Sequence, residues 1–337
     1  MAVALGKRES EYSMPHIVVL GTGGTIASSR GDDGAAVAEL GAGELGVDLQ
    51  NTDISIEYKD LFRLGSYLLK QRHLREIAEA VVQEMHRSDV DGVVITHGTD
   101  TMEETAYLLD LVHSDNKPVV LTGAQRPSDD LDSDGPRNLK DAILVAANDA
   151  ARSKGVLISF ADHIYAARAT RKTNTTAPSP FQTLGGGPIG QIINGSVQFT
   201  SCPIRPLPMA LPTVEFDNTR VDVICLYPGA DDSLATAAVE SGAKAVIIAG
   251  SGVGNGNPTI VSWARAAIKD GLIVALGSRV AAGPVVPMYG NGGGADLVSA
   301  GAVPLGTLPV FQARILIALL LSTGAKLDRW AIAPYIS

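Results

Sequence analysis

The stretch GVVITHGTDTMEETAYLLDL, residues 92–111, contains a strand, a turn and a helix in one continuous run. Its first residues are mostly apolar and β-branched, which is typical of a strand that is buried on both faces of a parallel sheet. After the turn, apolar residues recur every three or four positions, and Thr101 with Glu104 predicts a capping box at the helix start. The stretch therefore predicts one strand–helix unit of an α/β fold.

The same alternation of buried strands and helical segments recurs along the chain, and it predicts an α/β protein with doubly wound sheets. The stretch ISIEY at 54–58 alternates more and would add a strand. The apolar runs that predict parallel strands are HIVVL (16–20), GVVIT (92–96), PVVLT (118–122), GVLISF (155–160), VDVICLY (221–227), AVIIAG (245–250) and LIVALG (272–277).

A proline-rich segment separates the two halves of this pattern. Residues 203–220 hold four prolines and no clear periodicity, which is typical of an interdomain linker. We predict a tail over residues 1–15, an N-terminal domain over 16–202 and a C-terminal domain over 221–337. The N-terminal domain is expected to contain the larger, flavodoxin-like parallel sheet, and the C-terminal domain a smaller parallel sheet.

Composition narrows the classes of partner. The chain has 337 residues, 45% of them hydrophobic, so it can bury a sizeable core. Its 36 acidic and 27 basic residues give a net charge of -9. The sequence contains no cluster of basic residues of the kind that would indicate binding to nucleic acid or to an anionic membrane. We expect a small-molecule ligand. The N-terminus carries charges where a secretory signal would be apolar, so we predict a cytoplasmic protein.

Two strand ends carry glycines beside hydroxyl groups: GTGGT, which ends at Thr25, and HGTDT, which contains Thr99. Glycine lets backbone N–H groups approach a ligand closely, and a threonine hydroxyl there is a candidate nucleophile. The alternative is that each threonine only caps a helix or completes a turn. The glycine spacing fits neither a dinucleotide fingerprint nor a phosphate loop. His97 is expected to be a structural histidine with its hydrogen bonds satisfied.

An attacking hydroxyl needs a group that removes its proton. Asp100 is adjacent to Thr99, and Lys172 lies in the hydroxyl-rich stretch RKTNTT. Burial would favour a neutral lysine that could act as a base, whereas a nearby carboxylate would keep it charged. Taken alone, a lysine in such a stretch is expected to be exposed and solvated.

These residues stand in motifs that closely resemble those of the bacterial-type L-asparaginases, and they occur in that family's order. The resemblance covers nearly all of residues 16–337. The motifs that carry it are TGGTIAS (22–28), GVVITHGTDTMEETAYLLDL (92–111), KPVVLTGAQRP (117–127), DGPRNLKDA (134–142), KTNTT (172–176), GVGNGN (252–257) and SRV (278–280).

The resemblance implies hydrolysis of L-asparagine to aspartate and ammonia, without cofactor or metal, in a homo-oligomer whose sites lie between subunits of a dimer or tetramer. Thr25 would be the acylated nucleophile. Thr99 would form a triad with Lys172 and Asp100, line the oxyanion site and orient water or the nucleophile. Asp100 would also take the substrate α-ammonium.

The resemblance further implies a set of substrate-binding residues. Ser66 would hold the α-carboxylate, with Tyr67 and Gly98 beside it. The backbone carbonyl of Ala124 would receive the side-chain amide, and Asn257 would come from the partner subunit.

The sequence departs from the family pattern at three places. Tyr67 stands where the family has a glutamine beside the serine. Ala36 stands where the flexible loop usually carries a tyrosine that helps to activate the nucleophile, and an acid that some members lend from the partner has no counterpart near 284–290, where Tyr289 could substitute. These changes leave two alternatives to an L-asparaginase. One is an asparagine-binding protein without turnover. The other is the amidase subunit of a tRNA-dependent amidotransferase, although that role usually needs an extra N-terminal domain and fifteen residues precede His16.

Overall fold

The computed structural model describes residues 14–31, 33–47, 52–324 and 329–336. Residues 1–13, most of the predicted tail, lie outside the described residues. Strands and helices alternate along the chain, as the apolar runs predict. The strands are β1 (His16–Gly23), β2 (Ser28–Arg30), β3 (Ala36–Ala38), β4 (Ser55–Leu64), β5 (Gly92–Thr96), β6 (Val119–Thr122), β7 (Val156–Phe160), β8 (His163–Ala166), β9 (Thr170–Lys172), β10 (Phe181–Thr183), β11 (Gly190–Ile193), β12 (Ser196–Phe199), β13 (Val221–Cys225), β14 (Ala245–Gly250), β15 (Ile273–Ser278) and β16 (Val303–Pro304). The helices are α1 (Gln71–Met85), α2 (Met102–Val112), α3 (Gly135–Ala146), α4 (Val214–Asn218), α5 (Ser233–Glu240), α6 (Pro258–Lys269), α7 (Gly294–Ser299), α8 (Val310–Ser322) and α9 (Arg329–Ile336).

The larger sheet has a parallel centre. Over the described ranges it contains eight strands in the order β12-β11-β8-β7-β6-β5-β1-β4. The strands β4, β1, β5, β6 and β7 are all parallel to their neighbours in this group. Numbered along the chain, these five strands follow the order 2-1-3-4-5, which is the flavodoxin-like arrangement. The predicted architecture of the N-terminal sheet is therefore confirmed for its centre.

The other edge of this sheet is antiparallel, and the sequence analysis did not predict the strands β8, β11 and β12 that form it. Two-residue turns join β7 to β8 through Ala161 and Asp162, and β11 to β12 through Asn194 and Gly195. All four turn residues have positive φ angles. Such short turns reverse the chain, whereas a parallel neighbour requires a long crossover connection. The Asn-Gly pair is a hairpin signal that was present in the sequence.

The predicted strand at 54–58 is confirmed and is longer than expected. It forms β4, which ends at Leu64 and pairs in parallel with β1. Gly23 at the end of β1 lies opposite Leu64 in the register. The chain that follows β4 is thereby brought beside the turn that follows β1, and this places Ser66 near Thr25.

The smaller sheet contains β13, β14, β15 and β16 in that order within the described part of the chain, and all its pairings are parallel. The predicted smaller C-terminal sheet is confirmed. Helix α8 packs against α2 of the first half, and Leu108 and Leu316 belong to one buried apolar cluster. Helix α4 lies inside the predicted linker, residues 203–220. The limits of the domains stay predictions.

The capping box predicted at the start of α2 is not formed. Thr101 occupies the N-cap position, but its side chain makes no capping hydrogen bond. The Thr101 hydroxyl instead donates to the carbonyl oxygen of Ser66 at 3.1 Å. The Glu104 carboxylate lies 3.5 Å from the Arg314 guanidinium. A tertiary hydrogen bond therefore replaces the local one and ties the start of α2 to the Ser66 turn.

The turns after β1 and β5 approach each other closely at Gly24 and Gly98. Gly24 has φ +83°, and a Cβ atom placed there would lie 2.4 Å from the backbone nitrogen of Gly98. A side chain at this position would need both the left-handed backbone region and space that Gly98 already fills. The contact between the two turns therefore requires glycine at position 24.

We predict that Gly24→Ala destabilises the protein far more than Gly34→Ala. Gly34 has a similar φ of +79° but open space around its Cβ position, so it isolates the backbone strain, about 1 to 2 kcal/mol. At Gly24 the overlap with Gly98 should lower the free energy of unfolding by a further amount of about 1 to 3 kcal/mol. Urea unfolding measures both losses. Equal free energies of unfolding for the two variants would contradict this account of the contact.

Candidate active site

The candidate site lies where the neighbouring strands β1 and β5 end. In their parallel register Gly21 is opposite Thr96, and the Thr22 hydroxyl donates to the Thr96 carbonyl oxygen at 2.8 Å. The carboxyl ends of parallel strands form one rim of a sheet, which is where open α/β folds bind ligands. The pairing therefore brings the Thr25 and Thr99 turns side by side.

A small cavity of about 180 Å³ opens at this rim. Its wall includes six of the predicted catalytic and substrate-binding residues: Thr25, Ser66, Tyr67, Gly98, Thr99 and Asp100. Ser66 and Thr99 are buried, whereas 71% of Tyr67 is exposed. The cavity is smaller than the roughly 300 to 1,000 Å³ of sites for drug-sized ligands. Its size suits a ligand no larger than an amino acid.

Lys172 reaches Thr99 and Asp100, at the edge of this cavity, from β9, and the expectation of a solvated lysine is wrong. Its side chain is 15% exposed. The ammonium group donates to Thr99 Oγ1 at 2.8 Å and to Asp100 Oδ1 at 2.8 Å. The Asp100 side chain is 55% exposed, so it lies on the solvent side of Lys172 and Thr99. The structure thus brings Lys172, Thr99 and Asp100 together as one hydrogen-bonded set.

Thr99 has a second partner that the sequence reasoning missed. Its hydroxyl donates to Gln125 Oε1 at 3.1 Å, while Gln125 Nε2 donates to the carbonyl oxygens of Thr175 and Ala177. With its proton directed to Gln125, the Thr99 oxygen is free to accept from Lys172. Gln125 directly follows Ala124 in the motif KPVVLTGAQRP, and that position was the available signal.

Asp134 and Asn138 hold the turn that carries Gln125. The Asp134 carboxylate accepts from the backbone N–H groups of Gln125 and Arg126 at 2.9 to 3.0 Å. The Asn138 amide donates to the Gly123 carbonyl oxygen at 3.0 Å. The motif DGPRNLKDA therefore acts on the site through backbone positioning, a role that its residue types alone did not reveal.

His97 is a buried structural residue, as expected. Its Nδ1 is 2.7 Å from the Gly98 carbonyl oxygen and its Nε2 is 2.9 Å from the Thr105 hydroxyl. The carbonyl can only accept, so Nδ1 carries the proton and Nε2 accepts from Thr105. Burial lowers the pKa of His97 to about 4. The ring is therefore neutral near pH 7 and adds no charge behind the cavity.

The remaining predicted residues lie at the periphery of this group or in the second half of the chain. Ala124 is fully buried at the end of the turn after β6, and Ala36 lines the cavity. Asn257 caps α6: its Oδ1 accepts from the Ile260 N–H, and its Nδ2 donates to the Ala230 carbonyl oxygen. Tyr289 is 54% exposed. The hydrogen bonds of Asn257 thus keep its side chain within the smaller domain.

Fold and site together define a class: a two-domain α/β protein in which glycine-threonine turns line a small polar cavity and a Lys–Asp pair lies at its edge. Hydroxyl groups in such surroundings suit acyl transfer from an amide or ester carbonyl.

Comparison with known families identifies the group to which the chain belongs. A family model described as "Asparaginase, N-terminal" matches residues 16–205, and one described as "Glutaminase/Asparaginase C-terminal domain" matches residues 220–331. The chain therefore belongs to the asparaginase family of enzymes.

Proteins similar to this chain match most of its length. "L-asparaginase 2" of Escherichia coli is 34% identical over 95% of this chain and 93% of its own length. "Probable L-asparaginase periplasmic" of Haemophilus influenzae is 33% identical over 92% of this chain and 89% of its own. "Glutaminase-asparaginase" of Pseudomonas aeruginosa is 33% identical over 82% of this chain and 78% of its own. The resemblance is thus not confined to one domain.

Proposed function

We propose that this chain hydrolyses the side-chain amide of L-asparagine to L-aspartate and ammonia. The observation that carries the proposal is the set formed by Lys172, Thr99 and Asp100 at 2.8 Å, with Thr25 on the adjoining turn. Membership of the asparaginase family and the names of the relatives support it. We also infer that the reaction needs no cofactor or metal ion.

The chemistry of asparagine fits the groups around the cavity. The substrate carries a carboxylate, an ammonium group and a neutral amide. Ser66 Oγ and the Gly98 N–H can donate to the carboxylate, and Asp100 can accept from the ammonium group. Tyr67 would cover the open side, and the Ala124 carbonyl would accept from the amide NH2. Each polar group of the substrate then has a partner of opposite character.

In the proposed reaction, the Thr25 hydroxyl attacks the amide carbon of the substrate and its proton passes to the leaving nitrogen. Ammonia departs, and an ester between Thr25 and the substrate remains. Water then attacks this ester and releases aspartate, with the proton returning to Thr25. Thr99 and the surrounding N–H groups stabilise the oxyanion that forms in each step.

Lys172 has two alternative roles in this scheme. In the first role, a charged Lys172 donates hydrogen bonds to Thr99 and Asp100 and neutralises the Asp100 carboxylate. It can act as a base only after it loses a proton and the Thr99 hydroxyl turns from Gln125 towards it.

We propose that the active protein is a homo-oligomer, a dimer or a tetramer, with sites completed by a neighbouring subunit. The family pattern assigns Asn257 to the partner, and the side chain of Asn257 is held within the smaller domain of its own chain. Tyr289, exposed in that domain, is a candidate for the missing partner acid. A second copy would therefore supply what the cavity of one chain lacks.

A cytoplasmic location stays a prediction. Among the described residues, no helix is both long enough and apolar enough to span a membrane. One relative is named periplasmic, so the family does not determine the compartment.

We predict that the purified protein releases ammonia from asparagine and that Thr25→Ala and Thr99→Ala each lower turnover by at least about 100-fold, because each removes a positioned hydroxyl. Thr22→Val is the control, because the Thr22 hydroxyl donates to the Thr96 carbonyl oxygen of β5 and does not line the cavity. Ammonia release from asparagine and glutamine should be assayed side by side, and mass spectrometry of quenched enzyme should locate the acyl group. Asparagine binding without any turnover would favour the binding-protein alternative. Full activity in a folded threonine variant would remove that residue from the mechanism.

We predict that Lys172→Met lowers turnover by about 100- to 10,000-fold, the range for loss of a general base, with a smaller change in KM. Lys269→Met, at an exposed lysine, is the control. Lys172→Arg separates the two roles, because arginine keeps the charge but does not deprotonate. Turnover measured from pH 6 to 10 decides between them. A fully active arginine variant with an unchanged pH profile would leave Lys172 only its role of neutralising Asp100.

We predict that activity requires the oligomer, because one chain does not bring Asn257 to its own cavity. Analytical ultracentrifugation at the assay concentration should find a dimer or tetramer, and dilution that produces monomer should abolish turnover. A fully active monomer would refute the shared site.

A further inference from the structure

The strand that carries Lys172 is not one of the strands of the large sheet. Strand β9 pairs only with β10 in a two-stranded ribbon within the described residues. It is preceded by a turn in which Ala169 has φ +64°, a conformation that is unfavourable for a residue with a side chain. Other contacts must therefore hold this turn and set where β9, and with it Lys172, meets the site.

Gln312 of α8, in the C-terminal half of the chain, makes those contacts. It is fully buried. Its Oε1 accepts from the N–H of Ala169 at 2.9 Å, and its Nε2 donates to the carbonyl oxygens of Ala167 at 2.9 Å and Thr170 at 3.2 Å. One side chain thus binds the turn on both sides of its strained residue.

Gln312 also contacts the start of α2, close in sequence to Asp100. Its Nε2 lies 3.4 Å from the carbonyl oxygen of Glu103, in the first turn of α2, just after Asp100. The Glu103 carboxylate in turn accepts from the backbone N–H of Lys172 at 2.7 Å. Burial raises the pKa of Glu103, and the N–H of Lys172 and the guanidinium of Arg171 oppose this rise. Gln312 and Glu103 together connect β9 to the start of α2.

We propose that Gln312 is a positioning residue through which the C-terminal domain holds Lys172 Nζ within hydrogen-bond distance of Thr99 and Asp100. The proposal rests on the proposed function, because it assigns Lys172 to the reaction. Gln312 touches no atom of the cavity and acts only through the 167–170 turn and Glu103. Misplacement of a reacting group by about 1 Å can lower a rate about 100-fold, so a contact of this kind can matter to turnover.

The first test is Gln312→Met, which keeps length and apolar bulk but removes the amide. We expect kcat per folded molecule to fall about 10- to 100-fold while KM changes less than about threefold, because Ser66 lies on a different element. Leu316→Ala, at a fully buried residue on the same helix, is the control for general loosening of α8. The positioning role is wrong if Leu316→Ala lowers both Tm and kcat as much as Gln312→Met does. It is also wrong if Gln312→Met leaves kcat unchanged.

A double-mutant cycle tests the route of action. If Gln312 acts through Lys172, then Gln312→Met should lower kcat little further in a Lys172→Met background. Losses that multiply in the double variant would overturn the proposal. If Gln312→Met does not fold, Gln312→Asn replaces it, since its amide is one methylene too short to reach all three backbone groups of the turn.

Amide hydrogen exchange supplies a readout that does not depend on turnover. In Gln312→Met, peptides covering 167–172 should exchange faster, while peptides of β5 keep their protection. Unchanged exchange there would refute the proposed contact. Absence of ammonia release by the wild-type protein would instead refute the proposed function, so the two failures are distinguishable.

Discussion

The parallel pairing of β1 with β5 is the interaction on which the candidate site depends. It places Gly24 against Gly98, with backbone touching backbone, and so sets the separation of the two threonine turns. Because no side chain stands between the turns, the hydroxyl groups of Thr25 and Thr99 can line one small cavity. The parallel neighbour β4 then adds Ser66 from the other side. Three strand ends of one sheet thus supply most of the polar groups.

The degree of burial of each ionisable side chain determines which charges are present around this cavity. His97 is neutral because its pKa falls to about 4, so no imidazolium competes with Lys172. Asp100 remains more than half exposed and balances Lys172 without leaving a buried unpaired charge. The Thr99 oxygen then lies between one donor, Lys172, and one acceptor, Gln125. A hydroxyl held in this way has a defined orientation, which proton transfer requires.

Much of the fold was predictable because its signals are local. Buried parallel strands appear as short apolar runs, and the strand at 54–58 was found from alternation alone. The antiparallel edge of the large sheet was not predicted, because an apolar run does not indicate whether a strand is parallel or antiparallel to its neighbour. The Asn194-Gly195 pair, which is a hairpin signal, was present in the sequence. The capping box failed for a different reason: Thr101 meets the Ser66 carbonyl only in the folded chain.

The class of fold, the two glycine-threonine turns and, through the motifs, the family could all be read from the amino-acid sequence. These depend on residue type and spacing over short stretches. Tertiary structure alone decided that Lys172 is largely buried at Thr99, that Gln125 shares that hydroxyl, and that Gln312 holds the turn before Lys172. Lys172 and Thr99 lie 73 positions apart, and Gln312 lies 143 from Ala169. Hydrogen bonds at such separations depend on how sheets and helices pack, and no local pattern records that geometry.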